Sequence, residues 1–227
     1  NYRFCSGEIN RQLVTYHSGR TEDLHSVVNL VLPDYEAVYL VGFSLGGNLV
    51  LKYSGDGIFS MHPKIKAAVA ISVPVDLYGS AIELQKPKNL LYTWRFLITL
   101  AKKIKLKHQQ YPDQIDLKQL KRVKRLIDFD EYYTSSLNGF SNARDYYAKA
   151  NCKQFLGSIK LPALLINALD DPFLSDTCFP YAEAKKNKNF SLMTPQYGGH
   201  VGFVSFGEEN YWAEHQILSF LKKHEGV

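Results

Sequence analysis

The stretch Ala37 to Tyr53, AVYLVGFSLGGNLVLKY, constrains the fold of this chain more than any other. Residues 37–42 are apolar and β-branched, as expected of a strand covered on both faces, and Asn48 to Tyr53 then pass to helix formers. Between them lies Gly42-Phe43-Ser44-Leu45-Gly46, a Gly-x-Ser-x-Gly turn at a strand-to-helix corner. Such a corner forces its central residue into strained backbone geometry, while small neighbours keep other backbone out of its way. The serine hydroxyl then stands at the end of the sheet, beside a helix N-terminus that favours developing negative charge. That placement suits a nucleophile, and the pattern by itself equally suits a glycine turn that only makes room for helix packing.

The flanking segments extend the same rhythm. Glu8 to Leu32 carries a helical pattern with Thr21-Glu22-Asp23 as its start, and Leu32-Pro33-Asp34 ends it. Lys66 to Val73 reads as a second apolar strand, Leu161 to Ala168 as a third and Phe190 to Met193 as a fourth. Helices are expected around Tyr181 to Lys186 and over Tyr211 to Lys223. Strands alternating with helices give an α/β fold with a mostly parallel sheet flanked by helices. From Leu77 to about Lys160 the rhythm breaks for a helical insertion, 77–160, of the kind that roofs a pocket in such folds or elaborates a surface. Within it, Leu90 to Lys107 and Leu117 to Ile127 read as basic helices, and Asp145 to Ala150 as a further helix.

Charge is unevenly placed. The 227 residues carry a formal +5, yet Lys86 to Arg125 holds twelve Lys or Arg against two acidic residues. Basic amphipathic helices of this kind rest on anionic membrane surfaces, so segment 86–125 is a candidate peripheral membrane contact. No recognised nucleic-acid module accompanies the charge, and nucleic acid is not expected as a partner. Apolar runs are too short for a membrane span. The sequence starts at Asn1 with no leader, and reads as an internal piece of a longer protein. Cys5, Cys152 and Cys178 are odd in number and lack metal-ligand spacing, which favours free thiols in a reducing compartment, with cytoplasm as the default. His25, His62, His108, His215 and His224 form no His-Glu-x-x-His pattern, so a metallohydrolase is not expected. His17 is read as bracing its loop.

In an open parallel sheet the crevice lies at the carboxyl ends of the strands. Ser44, Asp171 and His200 each follow a predicted strand at that end, in the chain order Ser, Asp, His of the α/β hydrolases. A serine hydroxyl needs an imidazole to take its proton, and a carboxylate to hold the other ring nitrogen. Asp170 and Asp171 both stand on the turn. Asp171, directly before Pro172, fits the acid better, and Asp170 would cap or brace the turn. The backbone N–H of Leu45 is the expected first oxyanion donor. A nucleotide-binding role finds no support, since neither Gly-x-x-x-x-Gly-Lys-Ser/Thr nor Gly-x-Gly-x-x-Gly occurs at the turn. The rival reading is a non-catalytic or membrane-surface protein that retains the hydrolase shell.

Several motifs together resemble the YheT-like branch of the α/β-hydrolase superfamily. They run from Asn1-Tyr2-Arg3, Cys5-Ser6-Gly7-Glu8 and Tyr16-His17-Ser18-Gly19 through Gly42-Phe43-Ser44-Leu45-Gly46-Gly47-Asn48 and Ile71-Ser72-Val73-Pro74. Asp170-Asp171-Pro172-Phe173 and Gly198-Gly199-His200-Val201-Gly202-Phe203 continue them. The resemblance implies an α/β-hydrolase fold and a serine carboxylesterase or lipase-like enzyme acting on a small-molecule ester without metal or organic cofactor. It also implies N-terminal strands and a second oxyanion donor lying outside this chain. Phe4 stands where members of the branch usually carry glycine, which bears on the local turn.

Overall fold

A computed structural model of the chain describes residues 2–207 and 209–225. Asn1, the first residue of the family-like pattern, lies outside them. The described residues divide into two compact units: Ser18–Ser80 with Asn151 onward, and the stretch up to His17 with Ala81–Ala150.

The first unit is built on four parallel strands in the spatial order β1 (Val38–Phe43), β2 (Ile65–Ile71), β3 (Ala163–Ile166) and β4 (Phe190–Met193). Leu40 faces Ala68, Ala68 faces Ala163, and Ala163 faces Phe190. Along β2 the side chains alternate between two buried layers. Ala68 and Ala70 join Leu40, Val50, Leu51 and Leu165 on one face, whereas Val69 and Ile71 join Leu164, Ile166, Ala213 and Ile217 on the other. A strand covered on both sides must be apolar throughout, which is why its sequence shows no polar alternation. The first face carries α1 (Thr21–Val31) and α2 (Leu45–Gly55), and the second carries the C-terminal helix Trp212–Lys222. Small residues set the helix-to-sheet distance: a Cβ on Gly47 would lie 2.3 Å from Val73 Cγ2 and 3.3 Å from Ala70 Cβ. β1 borders the sheet, and its Val41 and Phe43 side chains are exposed.

Beyond the strand ends, a buried amide replaces the sheet ladder. Asn167 accepts a hydrogen bond from Val73 N at 2.7 Å and donates to Val73 O and Cys178 O at 3.0 and 2.9 Å. Asn48 does the same within α2, donating to Ser18 O and accepting from Cys152 N.

The chain passes from the first unit to the second within α3 (Leu77–Glu83). The second unit is centred on α4 (Leu90–Gln110), followed by a 3-10 turn, Leu117–Arg122, and α5 (Ala143–Ala150). Its core gathers Ile104, Ile115, Phe129, Tyr133 and Leu137. The N-terminal stretch is tied to α4 through the buried Lys107, which donates to Asn10 O at 2.5 Å and to Asn10 Oδ1 at 3.1 Å. The expected basic helix over Leu117 to Ile127 does not form as one element. Its 3-10 turn ends at Arg122, Val123 is extended, and a four-residue helix starts at Leu126. The reason is local: the Asp116 carboxylate caps Lys118 N, and the Asp128 carboxylate accepts from the N–H groups of Lys124 and Arg125, giving the backbone partners other than a helix ladder. Phe4 adopts φ 61° in a turn closed by Cys5 N to Tyr2 O at 3.0 Å. That is the left-handed region where glycine is favoured, so the turn forms at the cost of backbone strain.

In the first unit, α6 (Tyr181–Lys186) leads into β4, and α7 (Trp212–Lys222) is the C-terminal helix already placed against the sheet. No helix among the described residues is long and apolar enough to cross a membrane.

Candidate active site

Ser44 sits between β1 and α2 with φ 51° and ψ −121°, a conformation sparsely populated by residues with a side chain. Three contacts hold it there. Its N–H donates to Ile71 O at 2.8 Å, which extends the β1–β2 pairing by one step, and its carbonyl accepts from Gly47 N and Asn48 N. The glycines have unequal shares in this corner. A Cβ on Gly42 would lie 2.3 Å from Gly46 O, whereas a Cβ on Gly46 meets nothing within 4 Å. Steric room is therefore required at Gly42 and, against Val73, at Gly47, and the second glycine of the five-residue pattern is not needed for space.

The serine side chain makes no cap bond to its own helix. Its Oγ lies 3.0 Å from His200 Nε2 instead. His200 Nδ1 in turn lies 2.9 Å from Asp171 Oδ2. Facing an acceptor-only carboxylate, Nδ1 carries the ring proton, and the Nε2 lone pair is left to accept from the serine hydroxyl. The Asp171 side chain is fully buried and that of His200 is 17% exposed. The other oxygen of Asp171 accepts from Phe173 N at 2.9 Å, and the Phe173 ring lies 4.3 Å from the imidazole, centroid to centroid. The predicted Ser44, Asp171 and His200 are thus brought together from the ends of β1, β3 and β4.

Asp170 has a separate place. Its Oδ1 accepts from Gly199 N at 2.8 Å, one residue before the histidine. Ser72 does the equivalent one residue after, its Oγ accepting from Val201 N at 3.0 Å. The histidine is therefore held by its ring through Asp171 and by its flanking peptide groups through Asp170 and Ser72. The loop needs this support, because Gly199, Val201 and Phe203 all have positive φ, which is costly for a β-branched valine. Phe203 N donates to Gly198 O at 2.9 Å, and the Phe203 ring occupies the space a Cβ on Gly198 would need. Sequence reasoning did not single out Ser72, whose only signal was its place in the Ile71-Ser72-Val73-Pro74 motif.

Leu45 opens α2, so its N–H belongs to the first turn, where no intrahelical acceptor exists. His17 lies in the other unit, its ring edge-on to Phe140 and Tyr146 at 5.1 and 5.9 Å. No cluster of three metal-ligating side chains occurs among the described residues.

A parallel sheet with a strained serine corner after β1 and carboxylate and imidazole loops after later strands is the arrangement of an α/β hydrolase. The chain belongs to that superfamily, in the branch of the YheT esterase. It is 33% identical to the putative esterase YheT of Escherichia coli, over 97% of this chain and 66% of that protein. It is 35% identical to the phospholipase ABHD3 of Mus musculus, over 90% of this chain and 50% of that protein. The chain thus spans about half to two thirds of the length of these relatives. An esterase of Pyrococcus furiosus has the same fold, with a TM-score of 0.57 at 17% identity, covering 98% of this chain and 67% of the other. No protein-family model matches the chain.

Proposed function

We propose that the protein carrying this chain hydrolyses carboxylic esters through an acyl-enzyme on Ser44. The observation that supports it most is the unbroken series from Ser44 Oγ through the His200 ring to the Asp171 carboxylate, with 3.0 and 2.9 Å separations. His200 Nε2 takes the hydroxyl proton as Ser44 Oγ attacks the ester carbonyl. The resulting imidazolium is stabilised by Asp171 and returns the proton to the departing alkoxide. Charge on the carbonyl oxygen is met by the Leu45 N–H and the positive end of α2. Water, deprotonated by the same nitrogen, then releases the acid and restores Ser44. Relatives named as an esterase and a phospholipase favour an ester with an acyl chain as substrate.

The test is labelling of the full-length protein with a fluorophosphonate probe, beside hydrolysis of a series of p-nitrophenyl esters of rising chain length. Ser44 is expected to be the labelled residue, and Ser44→Ala to lose roughly 10³-fold or more in kcat. Folded protein that stays unlabelled, or ester cleavage that survives Ser44→Ala, would overturn the reading.

A further inference from the structure

The basic segment contains two different surfaces. In its second part, Leu117, Leu120 and Val123 are partly buried against the core of their unit, while Lys118, Lys121, Arg122, Lys124 and Arg125 are exposed. In α4, Leu97, Leu100 and Ile104 pack into that same core, and a second apolar stripe faces away from it. Thr93, Ile104 and Lys107 are buried, and the far side of the helix presents Leu91 (72% exposed), Trp94 (60%) and Ile98 (44%) to solvent. Spacings of three and four residues place these three on one stripe. Arg95, Lys102 and Lys105 are exposed on the same side. A helix in water normally buries such a stripe, and three large apolar side chains in register on an outer face mark an interaction surface.

The charge pattern identifies what the surface meets. From Lys86 to Gln110 the chain has no acidic residue. A second copy docked face to face would set Arg95, Lys102 and Lys105 against their own counterparts, which is repulsive. A membrane interface satisfies both halves of the pattern. Leucine, tryptophan and isoleucine enter the acyl boundary while long cationic side chains extend to the phosphates. Tryptophan suits that depth through its apolar ring and polar N–H. We propose that the outer face of α4, centred on Leu91, Trp94 and Ile98 and flanked by Arg95, Lys102 and Lys105, docks on an anionic lipid bilayer. The proposal does not rest on the chemistry assigned to Ser44.

Cosedimentation of the full-length protein with vesicles of phosphatidylcholine, with and without phosphatidylglycerol, tests it. Binding is expected to the anionic vesicles, to weaken as salt is raised from about 0.1 to 0.5 M, and to be the same in Ser44→Ala protein. Leu91→Ser with Trp94→Ser removes the apolar anchor, and Lys102→Glu with Lys105→Glu reverses the charge. Each double substitution is expected to cut the vesicle partition coefficient roughly tenfold or more, while probe labelling of Ser44 is retained. Absence of binding to anionic vesicles, equal binding to neutral ones, or binding unchanged by both double substitutions would overturn the proposal. So would concentration-dependent dimerisation in light scattering that the same substitutions abolish. Loss of labelling with vesicle binding intact would count against the Ser44 reading alone.

Discussion

At the scale of single residues, the two adjacent aspartates show how one step along the chain separates two tasks. Asp171 faces the imidazole and is buried, whereas Asp170 holds the peptide N–H before the histidine. If both act as placed, Asp171→Asn lowers kcat by roughly 10⁴-fold, because an amide stabilises the wrong ring tautomer. Asp170→Asn, whose side-chain oxygen can still accept from Gly199 N, should remain within a few-fold of wild type, and Asp170→Ala should fall roughly tenfold in kcat with KM little changed. Ser72→Ala should resemble Asp170→Ala, since each removes one of two bonds that orient His200 without touching substrate. Steady-state kinetics on one ester decides it. Equal losses in Asp170→Asn and Asp171→Asn would contradict the division of roles.

At the scale of elements, the serine corner and the strand ends are secured by different means. The corner depends on absent atoms. Gly42→Ala forces a methyl to within 2.3 Å of backbone that cannot move without breaking α2, and should cost about 2–3 kcal/mol in urea unfolding. Gly46→Ala has free space and a helical position, so it should be neutral or stabilising by up to about 1 kcal/mol. The strand ends depend on a buried amide. Asn167→Ala leaves Val73 N–H, Val73 O and Cys178 O without their partner and should cost about 2–4 kcal/mol. The strands and the helix Tyr181–Lys186 lie within about two residues of where hydrophobic periodicity places them, because burial on both faces of a sheet writes itself directly into residue type, whereas the helical pattern from Glu8 forms a helix only from Thr21 on. The stretch 117–127 departs from its helical periodicity because Asp116 and Asp128 bind nearby backbone N–H groups and break the helix, which periodicity does not register.

At the scale of the whole molecule, stability should vary with pH through Asp130. Its carboxylate lies on a π-helical turn, Asp130–Thr134, and accepts from Thr134 Oγ1 and Tyr147 OH, both at 2.6 Å. Removal from water pushes its pKa up to about 6, and those two bonds offset only part of the shift. A carboxyl with a raised folded-state pKa binds more protons folded than unfolded. Its contribution is therefore fully present below the unfolded value near 3.8 and is lost as pH rises to about 6. The difference in unfolding free energy between Asp130→Asn and wild type should accordingly move in favour of the variant across that window, by at most about 3 kcal/mol. A difference that stays flat from pH 4 to about 7 would remove Asp130 as the cause.

What the sequence by itself determined was the parallel α/β sheet and the serine corner, with Ser44, His200 and one of the adjacent Asp170 and Asp171 as site candidates, because strand burial and the sharp turn both demand particular residue types at particular spacings. Only the tertiary structure decided which oxygen of Asp171 meets the histidine, that Asp170 and Ser72 hold the loop on either side of it, and that Gly42 rather than Gly46 needs its missing side chain. It also showed that, within the basic segment, α4 packs Leu97, Leu100 and Ile104 inward and leaves Leu91, Trp94 and Ile98 on an outer face. Each of these depends on atoms far apart in the chain arriving within a few ångströms of one another. A one-dimensional pattern carries residue type and spacing, and has no term for that distance.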